Sequence, residues 1–521
     1  MHRIELLILL LLAIALLAQL AGRLRVPYPV FLVLAGLAVA LIPGVPRIDL
    51  EPDVIFLVFL PALLYAAAFV SSPRDLWAHA GRIGMLAIAL VILTVLAVAA
   101  VARLLIGDLS WPMAFVLGAV LAPTDPVAAT SVFRRMPVPE RVGTVVEGEA
   151  LVNDGVGLTL YRVAVGAATA GTFSLSSAAV QTVLVAVGGV AVGLAVGWTL
   201  AHLKRRVQEP EIEITLSLFT PYAAYIAAEA VHASGVLAAV TVGLYSGWRA
   251  GDVFLPETRV KILAFWAAIA FLLDSVLFVL VGLQLPAVLE ALAPRPLGRY
   301  LLPALAVAVT AMGVRMAFVL AVAAVRDRLP HADQALPRAE RLVVGWSGMR
   351  GAVSLAAALA IPATTDAGTP LEGRDVVLLV TFVTIVVTIV VQGLTLPVLV
   401  RSLGLGRAAG EERREQEARL QAAEAALERL DRAGANDEAP DTTVERLRIT
   451  YTEHAERAAA ELDDGRVETE DSSEAYRELR SLTLAAERDA VLRLRREGKL
   501  SNEAARRLQH EIDLAESRLR T

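Results

Sequence analysis

Roughly the first 400 residues consist of successive apolar runs, each long enough to cross a lipid bilayer. No other feature of the sequence constrains the fold as strongly. A membrane interior satisfies no backbone hydrogen bonds, so an apolar run of about 20 residues crosses it as an α-helix. The runs predict thirteen spans, and with 56% hydrophobic residues the chain is predicted to be an all-α polytopic membrane protein. Their approximate limits are 4–21, 27–44, 53–71, 83–106, 112–132, 143–169, 176–202, 212–230, 234–248, 262–284, 300–325, 341–361 and 376–401.

The opening run, MHRIELLILLLLAIALLAQLAG, has two interpretations. A secretory signal peptide has a shorter apolar segment, and here another span follows at once. We therefore favour a first membrane helix over a cleaved signal.

Basic residues are distributed unequally between alternate loops, and Lys and Arg accumulate on the cytoplasmic side of a membrane. The asymmetry predicts an amino terminus outside and a carboxyl-terminal tail in the cytoplasm. The loops after odd-numbered spans contain Arg23, Arg25, Arg74, Arg82, Arg134, Arg135, Arg141, Lys204, Arg205, Arg206, Arg249, Arg259, Lys261, Arg326, Arg328, Arg338 and Arg341. The loops after even-numbered spans contain only Arg47, Arg103, Arg295, Arg299 and Arg374.

Hydropathy falls sharply near residue 402, which predicts a transmembrane domain over 1–402 and a cytoplasmic tail over 403–521. The stretch EERREQEARLQAAEAALERLDR has Leu at helical spacing among Glu, Arg and Ala, which is typical of a solvated helix. The tail is therefore predicted to be a charged helical module. A packing or dimerising role is favoured, and a regulatory role is the alternative.

Spans 1–6 and 8–13 are predicted to form two inverted six-helix repeats, with span 7 as the connector. On this registration the fifth span corresponds to the twelfth, and both are interrupted, at Pro123 to Pro126 and at Gly345 to Gly351. Pro126 removes a backbone donor and Pro123 restricts the residue before it, so the fifth span cannot continue unbroken. Broken helices at matching positions indicate a binding site near the midplane.

Three carboxylates lie inside adjacent apolar spans, Asp125 in the fifth and Glu149 and Asp154 in the sixth. A charge near the bilayer centre costs about 3 kcal/mol on insertion scales, so these acids require a reason. Asp154 lies about 16 Å along its helix from the cytoplasmic start, near the midplane. There a carboxylate can hold either a proton or a cation, and the unwound carbonyl of Thr124 suits a small hard cation. A capped proline kink at Asp125 and a hydrogen-bonded structural Asp154 are the alternatives.

Glu149 and Asn153 are four residues apart and share a helix face. Because Glu149 is a charge inside an apolar span, it requires a buried partner. Arg315, inside the eleventh span, is the favoured partner, and Arg350 in the twelfth is the competing one. Asp274 is a further intramembrane acid, for which a structural hydrogen bond and a part in transport are equally open.

Composition excludes several other classes of site. The chain has no cysteine, which removes disulfides and thiolate metal sites, and its seven histidines show no paired spacing. No cofactor is therefore expected. No basic patch with interleaved aromatic residues is present, so nucleic acid is not an expected partner.

The motifs LAPTDPVA, EALVNDGVG, FLLDSVLFVLVGLQL, GMRGAVSLAAALAIP and QGLTLPVLVRSLGL occur in this order along the chain. Together they resemble the sodium/proton exchanger branch of the monovalent cation:proton antiporters, in its bacterial form. The resemblance extends over essentially the whole chain, and the combination of TDP with ND on the next span is its most specific element. It implies a homodimer in the bacterial inner membrane, a six-helix core that moves against a dimer domain, and crossed interrupted helices at spans 5 and 12.

Residue roles follow from the same resemblance. It implies that Asp154 binds cation and proton, with Asp125 and the Thr124 carbonyl beside it, and that Glu149 and Arg315 form a structural ion pair. Asn153 stands where electrogenic relatives have Asp, which implies electroneutral one-for-one exchange, and Arg350 belongs to the GxRG motif of the twelfth span. Two positions depart from the pattern: many relatives have an acid at the place of Ala66, and some have Ser at Ala150.

The expected function is antiport of Na⁺, with Li⁺ or K⁺ as alternative cations, for H⁺ by alternating access, in the service of pH homeostasis. An intramembrane aspartyl protease is a distant alternative, since Asp125 and Asp154 lie on adjacent spans. Its GxGD pattern is missing, however, because the surroundings read APTDPV and VNDGVG. A cation channel requires a filter of ring carbonyls or charges, which the sequence does not provide.

Overall fold

The computed structural model describes residues 3–24, 26–43, 51–136, 138–170, 175–204, 207, 209–254, 256–293, 295–327, 336–405, 409–435, 441–462, 468–496, 508, 509, 512 and 515. Among the basic residues used above for orientation, Arg25, Arg47, Arg205, Arg206 and Arg328 lie outside the described residues. The chain divides into two compact units, Met1–Gly406 and Arg407–Thr521.

The regular secondary structure of the first unit is helical in its described residues, apart from one isolated bridge between Thr364 and Pro370. The helices are α1 (Arg3–Arg23), α2 (Tyr28–Ala40), α3 (Pro52–Val54), α4 (Leu60–Val70), α5 (Pro73–Ala78), α6 (Ala80–Gly84), α7 (Val91–Leu105), α8 (Trp111–Leu121), α9 (Val127–Phe133), α10 (Glu140–Ala170), α11 (Leu175–Lys204), α12 (Pro210–Ala230), α13 (Gly235–Trp248), α14 (Ala250–Val253), α15 (Pro256–Leu283), α16 (Leu285–Leu292), α17 (Leu297–Arg326), α18 (Arg338–Trp346), α19 (Ala352–Leu359), α20 (Arg374–Val387) and α21 (Gly393–Ser402).

Short π-helical segments make several of these helices continuous. Ile55–Phe59 joins α3 to α4, Met85–Leu90 joins α6 to α7, and Thr388–Gln392 joins α20 to α21. Within the described residues, six helical stretches are long and apolar enough to cross a membrane: Pro52–Val70, Ala80–Leu105, Val180–Leu203, Glu257–Leu292, Leu297–Arg326 and Arg374–Ser402. The chain is therefore a helical membrane protein with several apolar spans.

Helix α11 shows how a span divides its surface between protein and lipid. A Cβ added at Gly193 would lie 2.7 Å from the Ala238 carbonyl oxygen, so glycine allows the close approach of α11 to α13. On the other face, Val183 and Leu184 are 60% and 66% exposed. Such a large apolar exposure on one helix face is typical of contact with lipid.

Two helical runs are interrupted in the interior of this unit, at the positions predicted from the sequence. One break separates α8 from α9, and the other separates α18 from α19. The backbone N–H of Asp125 donates to the carbonyl oxygen of Met349 at 2.8 Å, so the two breaks contact each other directly. A large apolar core contributed by α2, α7, α8, α15, α17, α19 and α20 surrounds them.

The second unit contains α22 (Ala409–Ala435), α23 (Asp441–Leu462) and α24 (Glu468–Arg496). Helices α22 and α23 pack against each other, with Ala423 and Val444 buried. Arg448 Nη2 lies 2.7 Å from Asp431 Oδ1 and joins the same two helices. A small apolar cluster of Leu484, Val491 and Ile512 lies elsewhere in this unit.

Candidate ion-binding site

Thr124 lies in the first break, between α8 and α9, and makes hydrogen bonds to two predicted site residues of α10. Its Oγ1 accepts a hydrogen bond from Asn153 Nδ2 at 2.9 Å and donates one to Glu149 Oε1 at 3.4 Å. Asn153 and Glu149 both belong to α10 and lie on one face because they are four residues apart. The Thr124 hydroxyl therefore links the unwound segment to α10.

Glu149 forms a buried, bidentate ion pair with Arg315 of α17. Arg315 Nη2 donates to Glu149 Oε2 at 2.7 Å, and Nη1 donates to Oε1. Both side chains are 1% exposed, and Arg315 also donates from Nε and Nη2 to the Val344 carbonyl oxygen, at 3.2 and 3.1 Å. Val344 lies in the last turns of α18, so one guanidinium joins α10, α17 and the helix that leads into the second break.

Arg350, the competing partner for Glu149, makes different contacts. Its Nη1 donates to the Gly348 carbonyl oxygen at 2.8 Å, and its backbone N–H donates to Thr388 Oγ1 at 3.2 Å. The side chain is 1% exposed, and its Nε has no partner among the described residues. Arg350 therefore lies within the second break and bonds to the backbone there.

Asp125 stabilises the first break from within. Its Oδ1 accepts from the backbone N–H of Val127 at 2.9 Å, which caps the start of α9. Its other carboxylate oxygen faces Gly351 of the second break, where an added Cβ would lie 2.6 Å from the Asp125 Cβ. The capping contact considered from the sequence is present, and one oxygen of the same carboxylate points at the crossing.

Asp154 differs from Glu149, the other buried acid of α10, in its contacts with the described residues. Its side chain is 9% exposed, and within the described part of the chain its carboxylate makes no hydrogen bond or ion pair. Asp125 is close enough to act on it electrostatically. The Oδ1 of Asn153, one residue earlier, is also buried and without a partner in the described region. A polar oxygen that is buried but unpaired requires an explanation, and a bound ion or proton is one such explanation.

The remaining candidates lie apart from this hydrogen-bonded network. Asp274 is buried on α15, makes no hydrogen bond to a described residue, and interacts electrostatically with Asp125 and Arg134. The two positions that depart from the resemblance, Ala66 on α4 and Ala150 on α10, are both buried.

Oxygen is the prevailing ligand atom at the crossing of the two breaks. No group of three or more His, Cys, Asp or Glu side chains is arranged to hold a metal ion in the described ranges. The groups near the crossing are instead carboxylate, amide and hydroxyl oxygens and the carbonyls of unwound backbone. Such oxygen ligands favour hard cations, and a single buried carboxylate can exchange one for a proton.

Comparison with known proteins identifies the family. The model of the family described as "sodium/hydrogen exchanger, transmembrane" matches residues 8–402. This chain belongs to the sodium/hydrogen exchanger family. An uncharacterised Na⁺/H⁺ exchanger of Mycobacterium tuberculosis is 36% identical over 517 residues, which cover 96% of this chain and 93% of the relative. The Na⁺/H⁺ antiporter ApNhaP of Aphanothece halophytica is 31% identical, with 96% and 94% covered.

The fold agrees with that assignment. The structure of the sodium proton antiporter MjNhaP1 from Methanocaldococcus jannaschii matches with a TM-score of 0.60 and 22% identity, over 77% of this chain and 98% of that one. The resemblance stated from the motifs is thereby confirmed. Membership of this family supports exchange of a cation for protons, and a transporter rather than an enzyme.

Sequence reasoning missed several groups at the crossing of this exchanger. The Met349 carbonyl, which accepts from Asp125, carries no side-chain signal. Thr388 bonds to the backbone of Arg350 at 3.2 Å, and Gln392 bonds to the backbone of Trp346 at 2.9 Å. These two residues did have a side-chain signal in the sequence. With Thr381 and Thr384 they form a polar stripe at three- and four-residue spacing within an apolar span, and that stripe predicts a buried polar contact.

Proposed function

We propose that this chain exchanges Na⁺ for H⁺, one for one, through competition of the two ions for the carboxylate of Asp154. The observation that carries the proposal is that this acid is buried and unpaired while the neighbouring acid Glu149 is fully paired. A buried carboxylate without a partner must be neutralised by a proton or a cation. Because either ion excludes the other, the site carries Na⁺ in one direction and H⁺ in the other. The two fluxes are thereby coupled.

The groups around Asp154 support a cation site made of oxygen. We assign the cation ligands to Asp154, Asp125 and the carbonyl of Thr124, with Asn153 beside them. Asn153 is neutral and stands where the resemblance places an Asp in electrogenic relatives, which supports electroneutral stoichiometry. K⁺/H⁺ exchange is the alternative, since the ligand types suit any hard monovalent cation.

The transport cycle we propose uses the architecture implied by the resemblance. Thirteen spans form two inverted six-helix repeats, the core with the two broken helices moves against a dimer domain, and two chains form a homodimer. The amino terminus lies outside and the tail in the cytoplasm of a bacterial plasma membrane. In support, the two breaks lie at matching positions of the predicted repeats and contact each other through Asp125 and Met349.

Transport in everted membrane vesicles tests the proposal. Addition of Na⁺ should dissipate a preformed pH gradient, and Asp154→Ala should abolish the response while the protein remains at its normal level in the membrane. Asp252→Asn, which alters an exposed acid paired with Arg249, is the matched control and should transport normally. Undiminished exchange by the Asp154→Ala protein would contradict the assignment of the carrier carboxylate.

Purified protein in proteoliposomes separates the finer parts of the proposal. Initial rates with Na⁺, Li⁺ and K⁺ give the cation preference. A one-for-one exchange moves no net charge, so a K⁺-diffusion potential of either sign should leave the Na⁺ rate unchanged. A rate that rises with one sign of the potential and falls with the other would contradict electroneutrality but would not contradict Na⁺/H⁺ antiport.

A further inference from the structure

A pocket lies between α10, α17, α18 and the Met85–Leu90 segment, at the end of the unit where α17 ends and α18 begins. Its cavity volume is about 60 Å³, and the pocket is partly open to the surroundings. Its wall is apolar and includes Met85, Phe318 and Val322. Three arginines complete it, Arg82, Arg326 and Arg341, which all lie close to helix ends. The pocket is therefore an apolar chamber with a cationic edge.

The cationic charge at this edge is only partly neutralised. Arg341 makes two hydrogen bonds to Asp327, at 2.7 and 2.6 Å. Arg82 and Arg326, by contrast, form no ion pair with a carboxylate in the described part of the chain, and they repel each other electrostatically. Arg326 Nη2 lies 3.8 Å from the Met85 sulfur. The described lining thus has three arginines against one carboxylate, that of Asp327, so positive charge is in excess.

The surroundings of the pocket are apolar and exposed. On α17, Leu320 and Val325 are 41% and 58% exposed, and Met85 is exposed at the opposite wall. Both helices belong to stretches that are long and apolar enough to cross a membrane, so these faces contact lipid. The pocket therefore opens between two lipid-facing surfaces, at the depth where the spans end and headgroups lie.

We propose that this pocket binds an anionic phospholipid from the surrounding membrane. Its phosphate would be held by Arg82 and Arg326, and an acyl chain would lie along Met85, Phe318 and Val322. Basic pockets between transmembrane helices on one side of the membrane are suited to such headgroups. Binding requires both a negative charge and an acyl chain. Inorganic phosphate makes no contact with the apolar wall, and a zwitterionic lipid brings no net negative charge to the two arginines.

Binding of defined lipids to the purified full-length protein tests the proposal directly. Native mass spectrometry of the delipidated protein, titrated with phosphatidylglycerol or phosphatidylcholine, should show saturable binding of phosphatidylglycerol. Because each basic group near the headgroup contributes about 1 kcal/mol, Arg82→Gln or Arg326→Gln should each weaken that binding about fivefold. The double variant should weaken it roughly 25-fold.

Matched variants decide whether the site is this pocket. Arg74→Gln removes an exposed arginine of α5 that does not line the pocket and should leave the affinity unchanged. Val322→Phe fills the chamber without altering charge and should reduce binding of phosphatidylglycerol. Equal binding of phosphatidylcholine, equal effects of Arg74→Gln and Arg82→Gln, or competition by inorganic phosphate alone would overturn the proposal. The readout is lipid binding, so it is independent of whether the chain transports Na⁺.

Discussion

Arg315 donates hydrogen bonds from both terminal nitrogens of its guanidinium to the two carboxylate oxygens of Glu149. Both side chains are buried. The same guanidinium bonds to the carbonyl of Val344, directly before the break between α18 and α19. Glu149 in turn accepts from Thr124 in the other break. The pair therefore connects the first break to the helix that leads into the second break.

Removing either partner should destabilise the protein strongly, because it leaves an uncompensated buried charge. We expect Arg315→Met or Glu149→Leu to lower the free energy of unfolding by about 3–5 kcal/mol. The double variant should be more stable than either single one, since no unpaired charge is left. Unfolding by sodium dodecyl sulfate in mixed micelles measures these values. Single variants within about 1 kcal/mol of the parent protein, the range of an exposed pair, would contradict a structural role.

Gly351 should be required for transport rather than for folding. Any larger residue there would push a Cβ into the Asp125 carboxylate at the crossing. We expect Gly351→Ala to weaken the apparent affinity for Na⁺ at least about tenfold, the equivalent of 1.4 kcal/mol. Gly313→Ala is the control, because nothing lies within 4 Å of its added Cβ on α17. Normal Na⁺ affinity in the Gly351→Ala protein would show that the Asp125 carboxylate is free to move aside.

The dependence of transport on pH should reveal how many protons compete with one cation. If H⁺ and Na⁺ exclude each other from Asp154, acidification removes the cation-competent form. Below the half-protonation point, each unit fall in pH should then raise the apparent KM for Na⁺ about tenfold, with an unchanged maximal rate. Initial rates in proteoliposomes over a range of pH and Na⁺ concentration measure this slope. A slope near one hundredfold would indicate two protons, and a KM independent of pH would contradict competition.

Much of this organisation could be predicted from residue type and spacing. Apolar runs predicted where helices lie, and Pro123 and Pro126 predicted the first break, because both act locally on the backbone. The contact of Arg315 with Glu149 also had a sequence basis, since each is a buried charge that needs a counter-ion.

The crossing itself could not be predicted in detail. The hydrogen bond from Asp125 to Met349 joins two backbone groups far apart in sequence, and every residue except proline carries the same donor and acceptor. The close approach of Gly351 to Asp125 depends equally on tertiary packing. The number of spans that cross the membrane is likewise fixed by packing and lipid as well as by apolar length.

The threonines of α20 and its π-helical continuation offer a test with an internal control. Thr388 Oγ1 accepts from the backbone N–H of Arg350 at 3.2 Å and donates to the Ile385 carbonyl oxygen at 3.1 Å, whereas the buried hydroxyl of Thr381 has no partner in the described residues. Thr388→Val should therefore lower the free energy of unfolding by about 1–3 kcal/mol, because it leaves a buried N–H unsatisfied. Thr381→Val removes an unpaired hydroxyl of similar shape and should be neutral or stabilising. The same unfolding titration compares the two proteins, and equal effects would mean that Thr388 does not support the second break.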